Sequence, residues 1–424
     1  MKRSASLTWL LWLFPIAFLL FFFYQPLLAI FRLVFSERFN QGWQFFSWPQ
    51  VLRPLGFTVW QAFLSTLLTL LIGLPAAFLF ARFDFPGRKW LRALSLLPFI
   101  LPTVVVATAF NTLIGPRGWL NLILMSVFDL SSPPLSLLNS LPAILLAHVF
   151  YNTSIVIRMV GNSITRLNPH FDQAARVLGA SPWQSFKEVS LPLLMPSILG
   201  SVLLVFLFDF TSFGVVLMLG GPQYATLEVE IYTQALSRFN LPMAGLLSII
   251  QLATTLLITL AQNRVKSPRF GKAALSSERS SLKPALTRSQ KAFVILMSLL
   301  LLLLFVSPIL SLVSHSLVTF EAARGERGEV QTGFTLDYYT ELFQNRSGSI
   351  FYSNPLAAIR NSLIYSLLTM LIATALGLVS AYALAKPGRL SRWLEPIFML
   401  PLGASAVILG LGFLITFNRD PWTS

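Results

Sequence analysis

The stretch that decides the fold lies between two long apolar segments and reads Asn168-Pro-His-Phe-Asp-Gln-Ala-Ala-Arg-Val-Leu-Gly-Ala-Ser-Pro-Trp-Gln-Ser-Phe-Lys-Glu-Val-Ser-Leu-Pro192. Asn168 followed by Pro169 is typical of a helix start, since asparagine caps and proline fits the first turn. Asp172 comes early in that helix, where a carboxylate suits the positive end of the helix dipole. Gly179 predicts the helix end, because glycine adopts the left-handed conformation without steric cost.

A second helix start follows within the same stretch. Ser181 and Gln184 have the spacing of a capping box, in which each side chain bonds the backbone of the other. We expect a short helix to about Ser190, with Pro192 marking the entry into the next apolar segment. The sequence therefore predicts two short helices joined at Gly179, held outside the apolar segments.

The composition places this stretch in a membrane protein. Of 424 residues, 55% are hydrophobic and 11% charged, with a mean hydropathy of +0.71, whereas soluble domains carry about 25% charged residues. The absence of cysteine excludes a disulfide-stapled fold. The pattern predicts an all-α integral membrane bundle with nine spans, at 8–34, 56–81, 93–115, 140–160, 194–219, 241–262, 292–314, 358–384 and 394–417.

The basic surplus is a topology signal. Lys and Arg number 31 against 16 acidic residues, a net charge of +15. With a cytoplasmic N-terminus, 21 of the 31 fall on the inner side, as the positive-inside rule requires. We therefore predict a multi-pass protein of the bacterial inner membrane with its N-terminus in the cytoplasm, whose basic loops face lipid rather than nucleic acid.

An internal repeat divides the chain. The sequence LLTLLI at 67–72 returns as LLTMLI at 367–372, and Pro-Gly-Arg at 86–88 returns at 387–389. We predict a first half over 1–262 with six spans and an exposed loop at about 161–193, a basic cytoplasmic linker over 263–291, and a second half over 292–424.

The second half holds three predicted spans, which match the first three of the opening half. The stretch from Pro98 to Phe110 matches that from Pro401 to Phe413, an offset of 303. The same offset places a second copy of the two-helix loop near position 476. The expectation is a truncated second half, from a protein of about twelve spans.

The two-helix stretch resembles the motif E-A-A-x-x-x-G-x9-I-x-L-P of permease subunits in binding-protein-dependent ABC importers. All spacings agree, and the one departure is glutamine at the usual glutamate. The matching positions are Gln173, Ala174, Ala175, Gly179, Val189, Leu191 and Pro192.

The resemblance implies the type I importer permease (MetI-like) fold in two tandem halves. In that family the motif is the coupling helix, which docks on a cytoplasmic ATPase. The implied partners are two ATPase subunits, an extracytoplasmic substrate-binding protein and the lipid bilayer. The chain is similar to the fused permeases of ferric-iron and thiamine importers. Ferric iron is the predicted substrate; thiamine, polyamine and inorganic anions are alternatives.

The sequence gives weaker support to other functional classes. The chain contains no G-x-x-x-x-G-K-[ST] loop, so we predict no ATP-binding motif of its own. The three histidines, His148, His170 and His315, are scattered, which argues against an intramembrane enzyme and predicts no metal or cofactor. An ion-coupled secondary transporter is the remaining alternative, although it normally needs several buried ionisable groups.

Three polar residues inside spans are candidates for the translocation pathway. Asp209 is the only carboxylate deep in an apolar segment, and buried charge in a membrane tends to be functional. His148 and Asn152 lie one turn apart on another span. Hydrogen bonding between helices is the alternative role for all three.

Overall fold

The computed structural model describes residues 4–35, 48–221, 223–265, 282–318, 333–344, 354–385, 394, 397–398, 401 and 404–417. The chain forms two compact units, each treated separately below. One comprises Met1–Phe45, Gln234–Leu252 and Ser314–Ser424, and the other Phe46–Thr233 and Ala253–Val313.

The second unit holds the predicted two-helix stretch. Its helices, in chain order, are α3 (Trp48–Arg82), α4 (Arg88–Leu94), α5 (Leu97–Ile100), α6 (Thr103–Ile114), α7 (Trp119–Phe128), α8 (Leu141–Arg166), α9 (Pro169–Val177), α10 (Pro182–Ser185), α11 (Leu191–Phe210), α12 (Gly214–Leu219) and α13 (Leu227–Tyr232). A two-residue parallel pair joins β1 (Phe83–Asp84) to β2 (Lys283–Pro284). A helical turn with π geometry, Phe186–Ser190, connects α10 to α11.

The first unit contains α1 (Ser4–Leu19), α2 (Gln25–Val34), α16 (Asp337–Glu341), α17 (Pro355–Ala385) and α18 (Ala406–Phe417). Two long helices, α14 (Leu241–Val265) and α15 (Arg288–Leu317), each have residues that belong to both units. Within the first unit α18 lies against α2, and the approach is close because a Cβ at Gly412 would meet Pro26 Cβ at 2.7 Å.

The long apolar helices confirm a polytopic membrane protein. In the described residues seven helices are long and apolar enough to cross a bilayer, or eight if one bent pair is counted as a span. Seven of the nine predicted spans correspond to single long helical segments. The fifth is longer at its start than predicted: the helical segment runs over Pro182–Phe210 and ends before α12.

Two predicted spans differ from straight helices. The span predicted at 93–115 is a bent pair, with Arg88–Ile100 at 113° to Thr103–Phe128. The break falls at Leu101, which is extended with ψ 133°, because the residue before a proline is pushed out of the helical region. The span predicted at 394–417 appears in the described residues only as α18, 12 residues long. The predicted linker 263–291 and the repeat at 387–389 fall largely outside the described residues.

The centre of the second unit is the pairing of α3 with α8. A Cβ at Gly73 on α3 would lie 2.7 Å from Val156 Cβ on α8, so only glycine permits this approach. One turn along, Ala77 faces Gly161. Close backbone contact through small residues is how helices pack in membranes, and α11 packs on the same pair through Leu194 and Val205.

Candidate functional site

The two-helix stretch folds as its local sequence predicts. The Asn168 side chain accepts a hydrogen bond of 3.0 Å from the His170 backbone N–H, which caps α9. Gly179 has φ +93°, the left-handed conformation that ends a helix. Ser181 and Gln184 form both hydrogen bonds of a capping box at the start of α10.

The second helix differs from the prediction in length. We expected it to end near Ser190, before Pro192, but the helical turns continue through a π turn, Phe186–Ser190, into α11. Pro192 has no N–H to donate and its ring clashes with the carbonyl four residues earlier. The wider π turn, in which the Leu191 N–H donates to the Phe186 carbonyl, absorbs this proline without ending the helix.

A side-chain contact that the sequence did not predict fastens α9 to α10. The Ser185 hydroxyl donates a 2.5 Å hydrogen bond to Asp172 Oδ1, and Arg176 Nε lies 3.1 Å from Asp172 Oδ2. Ser185 is fully buried. The Ser185 hydrogen bond, and then Arg176, hold the pKa of the Asp172 carboxyl below its usual value. Asp172 thus serves as a link between helices as well as a favourable charge at the start of α9.

The residues that match the permease motif lie on the surface of the described second unit. Gln173, Ala174, Gly179 and Pro192 are exposed. Ala175, Val189 and Leu191 are half-buried. The structure therefore presents the alanine pair and the glycine on one accessible two-helix element.

Large apolar side chains surround these residues and remain exposed. Val177 and Leu178 are 86% and 88% exposed, and Trp183 is 68% exposed. Trp183 stacks on Phe186, with ring centroids 5.6 Å apart. The two-helix loop lies outside the long apolar part of α11. Large apolar side chains that are exposed on such a loop are typical of a surface that binds another protein. We refer to Phe171, Val177, Leu178, Trp183 and Phe186 as the apolar surface of the loop.

The three candidate pathway residues come together in the buried part of the second unit. Asn152 Nδ2 on α8 donates a 2.6 Å hydrogen bond to Asp209 Oδ1 on α11. His148 Nδ1 lies 3.4 Å from the same carboxylate oxygen. All three side chains are buried, with Asp209 fully inaccessible. The structure therefore supports the interhelical hydrogen-bonding alternative and leaves Asp209 without exposure to solvent in this conformation.

Further polar residues complete this cluster, and the sequence analysis did not identify them. Ser65 Oγ on α3 lies 2.9 Å from His148 Nδ1, and His148 Nε2 lies 2.8 Å from Ser212 Oγ. Gln61 Nε2 donates a 2.7 Å hydrogen bond to the Asp209 backbone carbonyl. Gln61 and Ser65 recur at a four-residue spacing on α3, which is the signal that could have placed them on one face.

A polytopic helical bundle with an exposed, capped two-helix loop is the class that this architecture defines. The chain belongs to the family described as "Binding-protein-dependent transport system inner membrane component", whose model matches residues 69–319. This confirms the predicted fold family and a multi-pass protein of the inner membrane. The orientation of the N-terminus stays a prediction.

Relatives with known roles include two bacterial permeases. The chain is 34% identical over 244 residues to the thiamine transport system permease protein ThiP of Haemophilus influenzae, covering 57% of this chain and 44% of that protein. It is 32% identical over 254 residues to the sulfate transport system permease protein CysT of Escherichia coli, covering 58% of this chain and 87% of that protein. The match thus spans less than half the length of the thiamine permease. These relatives are transport permeases rather than enzymes.

The fold also matches a solved transporter. A crystal structure of a bacterial ABC transporter involved in import of the acidic polysaccharide alginate superposes with a TM-score of 0.53 at 22% identity, covering 62% of this chain and 95% of that chain. This likeness supports the helical permease fold. The relatives found are thiamine and sulfate permeases, so the predicted ferric-iron substrate gains no support from them.

Proposed function

We propose that this chain is the membrane-spanning permease component of an ATP-binding-cassette importer, coupled to separate cytoplasmic ATPase subunits. The observation that carries the proposal is the exposed two-helix loop with its alanine pair and apolar surface. An exposed cluster of Val177, Leu178 and Trp183 is unfavourable in water and becomes favourable when a partner covers it.

The proposed docking element comprises Gln173, Ala174, Ala175, Gly179, Val189, Leu191 and Pro192. The side chains of Ala174 and Ala175 are small, so the backbone of α9 can lie close to a groove on a partner protein. The loop leaves directly from α8 and returns into α11, so a push on it reaches two long helices at once. We propose two ATPase subunits and an extracytoplasmic substrate-binding protein as partners, and a cytoplasmic location for the loop and the N-terminus.

For the substrate we propose thiamine, because the thiamine permease shares 34% identity with this chain. Sulfate is the second candidate, because the match to the sulfate permease covers 87% of that protein. The two relatives described above give no support to ferric iron or polyamines. We propose that Asp209, His148 and Asn152 hold the helices that line the pathway.

The domain organisation is proposed on the sequence repeat. In this proposal residues 1–262 form one permease half, 263–291 are a linker and 292–424 belong to a second half. Each half would receive the motion of one ATPase subunit.

The experiment that tests this function is isolation of the tagged chain from host membranes in mild detergent. We expect an ATPase to co-isolate and the assembly to hydrolyse ATP. Ala175→Arg, which puts a long charged side chain at the proposed docking face, should remove the ATPase while leaving the chain in the membrane.

The matched control is Ala385→Arg, which adds the same side chain at an exposed alanine at the end of α17, past the predicted span 358–384 and outside the loop. Retention of the ATPase by Ala175→Arg, or equal loss in both variants, would contradict the docking assignment. Uptake of radiolabelled thiamine and of sulfate by cells expressing the chain distinguishes the two substrates.

A further inference from the structure

The two helices that flank the exposed loop are joined by polar contacts along their length. Near the loop, Ser163 Oγ on α8 lies 2.6 Å from Ser197 Oγ on α11. Further along, Asn152 Nδ2 donates to Asp209 Oδ1 at 2.6 Å. We call these contacts the serine rung and the Asn–Asp rung.

The two rungs have matching positions on the antiparallel helices α8 and α11, so the residues between them lie opposite each other in a constant register. From the serine rung to the Asn–Asp rung the chain moves eleven residues back along α8 and twelve forward along α11, about 17 Å at 1.5 Å per residue. A third contact, between His148 Nε2 and Ser212 Oγ at 2.8 Å, lies four residues further on α8 and just past the end of α11. The same faces of the two helices therefore meet over their shared length.

Apolar packing fills the interval between the rungs. Val156 and Val160 on α8, with Val205 on α11, belong to one buried cluster. A Cβ at Gly200 would lie 3.5 Å from Met159 Cε, an ordinary contact distance. Beyond the serine rung, Asp172 and Ser185 fasten the loop helices to each other.

We propose that Ser163 and Ser197 are positioning residues that lock α8, the loop and α11 into one rigid hairpin, which carries motion of the loop to the buried Asp209 cluster. This proposal rests on the proposed function, since it needs a partner that moves the loop. The serine rung joins half-buried side chains of α8 and α11, so the two helices cannot slide past each other without breaking it.

The first test uses the natural absence of cysteine from the chain. In the double variant Ser163→Cys with Ser197→Cys, the sulfur atoms replace two oxygens 2.6 Å apart, so an oxidant should form a disulfide. We measure ATP hydrolysis by the isolated assembly, and uptake of thiamine and sulfate, before and after reduction. A rigid hairpin predicts no loss of transport on oxidation.

A loss of transport that reduction restores would mean that α8 and α11 slide during the cycle, and it would overturn the proposal. If neither the oxidant nor a short bifunctional thiol reagent cross-links the double variant, the contact is contradicted and the proposal is overturned as well. The single variants Ser163→Cys and Ser197→Cys, treated with the same oxidant, control for damage elsewhere. If the unsubstituted chain holds no ATPase, the proposed function fails instead, which is a separate result.

The second test distinguishes positioning from simple structural support. Ser163→Ala with Ser197→Ala removes the hydroxyl pair, and we expect ATP hydrolysis to continue while each transported substrate consumes more ATP, because part of the loop's motion no longer reaches both helices. Ser163→Thr keeps a hydroxyl and should preserve the ratio. Ser307→Ala, which removes a hydroxyl that donates to Leu303 of its own helix, is the matched control.

A purely structural serine rung would lower abundance, hydrolysis and transport together, with the ratio unchanged. That outcome would overturn the positioning role.

Discussion

Asn152 and Asp209 face each other across two antiparallel helices, with the Asn152 amide donating a 2.6 Å hydrogen bond to the Asp209 carboxylate. Neither side chain is accessible beyond 5%. A carboxyl group in this environment is costly unless hydrogen-bonded; Asn152 bonds its Oδ1, whereas its Oδ2 is buried with no hydrogen-bond partner among the described residues.

Replacing Asp209 with asparagine is expected to reduce uptake more than it reduces the amount of protein in the membrane. The amide keeps the size of the side chain, so packing persists, but the carboxyl group that accepts from Asn152 and faces His148 is replaced by a group that does not ionise. The measurement compares initial uptake with immunodetected abundance.

Asp129→Asn is the control for the Asp209 substitution. Asp129 is exposed and has φ +50°, a conformation that asparagine also tolerates. We expect no change in uptake or abundance there. Parallel losses of uptake and abundance in Asp209→Asn would indicate a role in folding alone.

Substituting Gly179 with alanine should impair coupling. A Cβ at Gly179 meets nothing within 4 Å, so the effect arises from φ +93°, which costs an alanine about 1–2 kcal/mol. The junction between α9 and α10 is then expected to shift, and ATPase association to fall. Co-isolation of the ATPase with the tagged variant measures this.

Gly87 offers a matched control, since it has φ +80° and equally open space for a Cβ. Gly87→Ala introduces the same backbone strain outside the two-helix loop, so this variant should still associate with the ATPase. If both variants lose the ATPase to the same extent, strain in general, and not the loop, explains the loss.

Trp183→Ser is expected to weaken ATPase binding without changing membrane insertion. Trp183 is 68% exposed, and a tryptophan at the centre of a protein interface commonly contributes about 2 kcal/mol or more. Binding of the isolated chain to the ATPase should therefore weaken by at least an order of magnitude in a titration.

Trp90→Ser provides the comparison, because Trp90 is 78% exposed on α4 and outside the loop. Its substitution should leave the affinity unchanged. An unchanged affinity in Trp183→Ser would remove the apolar surface of the loop from the docking site.

The link between α9 and α10 should be lost in acid at a pH set by Asp172. Its pKa is lowered, mainly by the Ser185 hydrogen bond, so the contribution to stability is present above the unfolded pKa of about 3.9. That contribution disappears as the pH falls through the lower pKa of the folded loop. The fluorescence of Trp183 reports the transition. It is obtained by subtracting the fluorescence of the Trp183→Phe variant from that of the unsubstituted chain.

Ser185→Ala should move that transition upward, towards the ordinary pKa of an aspartate. Ser181→Ala breaks the capping box of α10 without touching Asp172 and should leave the midpoint in place. A midpoint that Ser185→Ala does not move would show that Ser185 has no influence on the carboxyl.

Much of the loop was predictable because its signals act over a few residues. The cap at Asn168, the left-handed Gly179 and the capping box of Ser181 with Gln184 each involve partners at most three residues apart or the backbone of one residue. The continuation of α10 into α11 was not predictable in the same way. A proline usually marks a helix start, and only the π turn before Pro192 keeps the helix running.

The bend of the third predicted span shows a similar limit. Pro98 and Pro102 predict an irregularity there, and the break at Leu101 follows from the proline after it. The angle of 113° depends on how α6 packs in the second unit. The local sequence determines that the helix breaks at Leu101, whereas packing against neighbouring helices determines the direction of α6 after the break.

The sequence by itself determined a helical membrane protein with a capped two-helix loop, because composition and short-range hydrogen bonding suffice for both. The meeting of Gln61, Asn152 and Asp209, and the rung between Ser163 and Ser197, were decided only by tertiary structure. Each of these contacts joins residues 34 to 148 positions apart. Such contacts depend on the rotation and depth of whole helices, which are set by close packing at positions such as Gly73 and Val156 rather than by the polar residues themselves.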